Sequence, residues 1–63
     1  MSIIEIKTFL KNKIQNDGDT TENALECLEQ LVSQGMEYPN AEAQVLDVFS
    51  VSQEELMEAY DNK

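Results

Sequence analysis

Asp19-Thr20-Thr21-Glu22-Asn23-Ala24-Leu25-Glu26-Cys27-Leu28-Glu29-Gln30-Leu31-Val32-Ser33-Gln34-Gly35 is the segment whose pattern decides the fold. Ala24, Leu25, Cys27, Leu28, Leu31 and Val32 recur with the period of one helical face, so their burial requires a helix rather than a strand. Asp19 or Thr20 can cap its start, and Gly35 stands where a helix ends in a left-handed residue. Away from the apolar face, Glu22, Glu26 and Glu29 fall at i, i+4 and i+7 and make one acidic stripe.

Upstream, Ser2 followed by Glu5 reads as a capping box, with Met1 and Ile6 placed to staple it. Ile3, Ile6, Phe9/Leu10 and Ile14 form the apolar stripe of a first helix, with Lys7 and Lys11 one turn apart on its solvent flank. Gln15-Asn16-Asp17-Gly18-Asp19 is turn chemistry, because Asn, Asp and Gly tolerate positive φ and bond their own backbone. Downstream, Pro39 favours extended geometry at Tyr38, which predicts a short third helix over about residues 40–48. Ser52 with Glu55 is a second capping box, Val51 and Leu56 stand in staple positions, and Leu56, Met57 and Tyr60 are expected on the buried face of a last helix.

These signals predict an all-α fold: a single small domain spanning residues 1–63, with three to four short helices and a helix-turn-helix-like C-terminal half. The expected core draws on Ile6, Leu10, Ile14, Leu28, Leu31, Val45, Phe49, Val51, Leu56 and Tyr60, with Cys27 buried as a small hydrophobe. At 63 residues and 41% apolar content, the chain has room for one small core. Neither a basic flank leading into a long apolar run nor a span of roughly 18 apolar residues occurs, so a cytoplasmic protein is expected.

Charge is segregated along the chain. Three of its four lysines, Lys7, Lys11 and Lys13, lie in the first 13 positions, and the 49 residues from Ile14 to Asn62 hold 12 of the 13 acids and no base. The net charge is −9. Glu54, Glu58 and Asp61 repeat the spacing of the first acidic stripe, with Glu55 beside them. Like charges one turn apart cost roughly 0.2–0.5 kcal/mol per pair in an isolated helix, so these faces suit solvation or a basic partner better than helix stability.

No catalytic or cofactor-binding constellation is present. A single cysteine without histidine cannot build a zinc cage. An EF-hand register that puts Gly18 in the glycine place would make Lys13 and Ala24 its first and last ligands, so no metal site is expected.

The Ala41–Tyr60 segment, with Val45, Leu46 and Phe49 before Ser50-Val51-Ser52 and Leu56 and Ala59 after it, resembles the helix-turn-helix of DNA-binding regulators. That family implies a second helix in the major groove, where Glu54, Glu55, Glu58 and Asp61 would face phosphates of their own sign. Direct nucleic-acid binding by a monomer is therefore not expected. A dimeric regulator approaching DNA through Lys7, Lys11 and Lys13 is the alternative this resemblance implies. Gly35-Met36-Glu37-Tyr38, taken with the same segment, resembles the loop of ubiquitin-associated domains and implies a peptide-binding module.

The string Gly35-x-Glu37-Tyr38-Pro39-x-Ala41, with Phe49-x-Val51-Ser52 and Leu56-x-x-Ala59-Tyr60-Asp61, is similar to short uncharacterised proteins of tailed bacteriophages, cyanophages among them. That likeness implies expression in a host cytoplasm. The leading expectation is a non-enzymatic interaction protein whose carboxylates Glu22, Glu26, Glu29, Glu54, Glu55, Glu58 and Asp61 meet a basic surface of a host protein. Imitation of a nucleic-acid backbone falls within that expectation, while no membrane partner is implied.

Overall fold

Two glycines with positive φ, Gly18 at +94° and Gly35 at +104°, bracket the central helix and set where the chain turns. The computed structural model describes residues 3–62, with Ile3 described in its backbone alone. Four α-helices follow one another: α1 (Ile3–Asp17), α2 (Thr21–Ser33), α3 (Tyr38–Val48) and α4 (Gln53–Asp61). The fold is all-α, as the periodicity predicts. The expected cap at Ser2 and staple at Met1 lie outside the described residues.

Helix α1 runs through Gln15, Asn16 and Asp17, which the turn chemistry had assigned to the connection. The Gly18 N–H donates to the Ile14 carbonyl at 2.8 Å, so the helical ladder is completed before the left-handed residue turns the chain. Asn and Asp are poor but tolerated helix formers, and a glycine immediately beyond them fixes the end more strongly than their own preference.

Thr20 caps α2, its Oγ1 accepting from the Asn23 N–H at 3.1 Å. Asp19 has another role: its carboxylate accepts the Ser50 N–H at 2.9 Å and ties the α1–α2 turn to the α3–α4 connection. At its other end α2 closes in a Schellman arrangement, the Met36 N–H reaching Leu31 C=O at 3.1 Å and the Gly35 N–H reaching Val32 C=O at 3.0 Å.

Tyr38 is the first residue of α3 rather than an extended residue before Pro39, so this helix begins two residues earlier than expected. Pro39 sits in the first turn, where its missing N–H has no intrahelical partner to lose. The backbone bias of a pre-proline residue is offset by the Tyr38 side chain. Its ring meets that of Tyr60 edge-on at 5.0 Å, and its hydroxyl donates to Glu42 at 3.1 Å. Helix α4 starts as predicted: Ser52 and Glu55 form a complete capping box.

Helix α2 is the hub, packing against each of the other three, and α1 also packs on α3. Ile6, Leu10, Ala24, Cys27, Leu28, Leu31, Ala41, Val45, Phe49 and Leu56 form the core. Ile14, Val51 and Tyr60, expected inside, are only half-buried around it. Met57, also expected inside, is 45% exposed, because α4 is a short helix packed mainly on α2 and buries only the line through Leu56. The molecule measures 29 × 24 × 16 Å, so its thinnest dimension is under two helix diameters and the interior is one layer of side chains.

Asn23, on the α2 edge facing the end of α1, is buried and donates through Nδ2 to two carbonyls, Lys13 at 2.9 Å and Gly18 at 2.8 Å. It joins the two helices where no apolar side chain could satisfy those acceptors. Asn23→Ala should therefore destabilise the domain by roughly 2 kcal/mol in urea titration, and Asn23→Leu by at least as much, since leucine restores apolar volume but not the bonds.

Candidate functional site

The seven carboxylates expected to meet a partner fall on two helices and into separate surroundings. Glu22 and Glu26 on α2 are exposed, whereas Glu29 is half-buried and engaged in interactions of its own. Glu26 and Glu29 line a shallow groove with Lys13, Gln30 and Ser33, where α2 runs beside the end of α1. On α4, Glu54, Glu55, Glu58 and Asp61 are all exposed. Glu55 and Glu58 line a second open groove with Ala59, Asn62 and Thr21, the residue before Glu22. The fold thus brings Glu55 and Glu58 alongside the start of α2 and leaves Glu26 and Glu29 with the Lys13 edge.

Ion pairing accentuates the segregation. Lys7 Nζ lies 2.7 Å from the Asp47 carboxylate of α3, and Lys13 Nζ lies 3.2 Å from Asp17 one turn along α1. The hydrogen bond and charge of Lys7 hold the Asp47 carboxyl below its usual range, and Asp17 raises the Lys13 ammonium above its own. Two of the three N-terminal lysines are therefore matched to Asp47 and Asp17, neither of which belongs to an acidic stripe.

Cys27 lies one turn beyond Asn23, and its Sγ approaches Asn23 Oδ1 at 3.9 Å. Burial pushes its thiol up to about 11, with Lys13 opposing the shift too weakly to reverse it. A neutral, enclosed thiol is not a nucleophile at physiological pH. Among the described residues, no three His, Cys, Asp or Glu side chains are placed to hold a metal ion, and no helix is long and apolar enough to cross a membrane.

Two polar groups absent from the sequence-based site organise the surface from beneath. Glu42 of α3 is buried, its carboxylate accepting from Tyr38 Oη at 3.1 Å and from Gln53 Nε2 of α4 at 3.2 Å. This network orients the α4 start, and therefore Glu54 and Glu55, against α3. The i, i+4 spacing of Tyr38 and Glu42 is legible once Tyr38 is helical, but Gln53 carries no sequence signal of its role. A further open cleft lies at the end of α2, lined by Leu31, Gln34, Gly35 and Met36. No protein family matches this chain, and neither a curated protein nor a solved structure does.

The surroundings of the stripes separate their energetics. Glu58→Gln should raise the stability of the free protein by a few tenths of a kcal/mol by removing like-charge repulsion along α4. Glu26→Gln should gain less, because Lys13 lies in the same groove; paired thermal melts at low salt measure the difference.

A second expectation concerns alkaline pH. The Cys27 thiol and the Tyr38 phenol are raised chiefly by burial, so each ionises more readily in the unfolded chain, and raised Lys13 stabilises the fold only while charged. All three signs agree, and stability should fall as pH rises from the ordinary thiol value of 9.0 towards about 11. Urea midpoints across that interval check this, and Cys27→Ala should flatten its lower half.

Proposed function

We propose that this chain is a non-enzymatic interaction protein that sets the carboxylates of α2 and α4 against a basic surface of another protein. The observation that carries this reading is the exposure of Glu22, Glu26, Glu54, Glu55, Glu58 and Asp61 while Lys7 and Lys13 are held on α1 by Asp47 and Asp17. Exposed carboxylates at helical spacing present a regular line of negative charge, which steers and orients a cationic groove as a phosphate backbone does. With the likeness to short tailed-phage proteins, the partner is read as a host protein in the bacterial cytoplasm. A groove that ordinarily holds nucleic acid has the matching chemistry.

The same ion pairs weigh against a dimeric helix-turn-helix regulator reaching DNA through α1. Neutralising phosphates would require Lys7 and Lys13 to leave Asp47 and Asp17, and the exposed acids of α4 would repel the backbone. A peptide-binding module of the ubiquitin-associated kind finds support in one feature, the cleft at Leu31, Gln34, Gly35 and Met36. An amide chemical-shift titration perturbing that loop rather than α4 would favour it.

Affinity capture from bacterial lysate with the immobilised protein, at low and high salt, tests the main reading. The expected result is a basic partner released by salt and bound roughly tenfold more weakly by the Glu26→Gln/Glu58→Gln double variant. Capture that neither salt nor the double variant weakens would overturn the charge-driven mechanism. Retardation of mixed DNA, abolished when Lys7, Lys11 and Lys13 are changed to Glu, would replace it with the regulator.

A further inference from the structure

Asp17 is the one aspartate or asparagine of the chain that a glycine follows, and the bond between them lies where α1 ends. Gly18 has no side chain to shield its nitrogen, which can attack Asp17 Cγ whenever the two atoms come together. A C–N bond forms as the C–O bond breaks, and the nitrogen's proton leaves with the carboxyl hydroxyl as water. The product is a five-membered succinimide. Water then reopens the ring: attack at Cγ restores aspartate, and attack at the main-chain carbonyl leaves isoaspartate, an isomer of unchanged mass.

The fold opposes the first step at both reacting groups. The Gly18 N–H is committed to the Ile14 carbonyl at 2.8 Å, and the Gly18 carbonyl accepts from the buried Asn23 Nδ2 at 2.8 Å, so the nitrogen is held in the helical ladder. Helical side chains lean towards the N-terminus of their helix. The Asp17 carboxylate accordingly meets Lys13 Nζ one turn upstream at 3.2 Å, in the direction away from Gly18. Asp17 is exposed, so the conformation of the last turn of α1, not exclusion of water, keeps the reacting atoms apart.

We propose that Asp17–Gly18 is an isoaspartate-forming site that the Asn23 junction holds closed, so that the rate of modification follows the opening of the end of α1. Helix ends open locally more often than a domain unfolds, which makes this turn the step that admits the reaction. Isoaspartate carries the main chain through Cβ and Cγ. One methylene is thereby added between Asp17 Cα and the Gly18 nitrogen, and Gly18 is displaced from Ile14 and Asn23, the groups that hold it. The folded chain thus resists a change that, once made, weakens the fold. This inference rests on the junction alone and not on the basic-partner reading.

Incubation of the full chain at neutral pH across a urea series tests it, with isoaspartate at Asp17 quantified by electron-transfer fragmentation and Gly18 amide exchange followed on the same samples. Modification should be at least roughly tenfold slower in the folded protein than in unfolding urea, and it should rise with urea in step with Gly18 exchange. Asn23→Ala should raise both rates roughly tenfold without urea while circular dichroism shows its helices kept; if that variant loses its helices, the urea series decides by itself. Asp17→Glu, whose ring would need six members, should leave the bond unmodified. The isolated isoaspartate form should unfold at a lower urea midpoint than the wild type. Isoaspartate absent in unfolding urea, a folded rate equal to the unfolded one, a rate independent of Gly18 exchange, a helical Asn23→Ala variant with wild-type rates, or a modified chain with the wild-type midpoint would each overturn the proposal.

Discussion

The Asn23 carboxamide is the polar contact on which the arrangement of the helices turns. Its two N–H groups are committed to the carbonyls of Lys13 and Gly18, at the end of α1 and in the turn beyond it. Because Asn23 is buried, removing its carboxamide while the helices stay packed would leave both carbonyls without these donors, a cost that exceeds the net worth of the bonds themselves. Asp19 lies in the same turn and holds the Ser50 N–H across 31 positions of sequence. A local turn thus fixes the crossing of the first two helices and the placing of the last connection.

From that junction the apolar layer follows. Leu28 and Leu31 of α2 meet Ile6 and Leu10 of α1, Val45 of α3, Phe49 just beyond its end, and Leu56 of α4 within one buried cluster. In a body 16 Å thick, one layer of side chains serves every helix, and each helix can bury only a narrow line. The acids of the two stripes other than Glu29 lie exposed, while the described lysines lie on α1, where Asp47 and Asp17 engage two of them.

The α3–α4 half is held differently. Its helices meet through long side chains, with Tyr38 against Tyr60 and Glu42 accepting from both Tyr38 and Gln53. A buried carboxylate fed by neutral donors gives this corner directional specificity that apolar packing lacks. It orients the acidic face of α4 without using any acid of that face, linking the inner hydrogen-bond network to the outer charge pattern.

Much of this was legible in the amino-acid sequence. The four helices, the capping box at Ser52, the left-handed residue at Gly35 and the burial of Leu10, Leu28, Leu31, Val45 and Leu56 all follow from period and cap chemistry, which act within a few residues along the chain. The exposure of five of the predicted site residues, Glu22, Glu26, Glu54, Glu58 and Asp61, follows from the same periodicity. What tertiary structure alone decided is where polar side chains find partners distant in sequence: Asn23 on α1, Asp19 on Ser50, Lys7 on Asp47 and Gln53 on Glu42. It also decided that Met57 stays outside and that Tyr38 joins α3 despite the proline after it. Hydrophobic periodicity says which side of a helix turns inward, but a hydrogen bond or ion pair depends on two groups meeting within about 3 Å, and only the packed arrangement of the helices sets that distance.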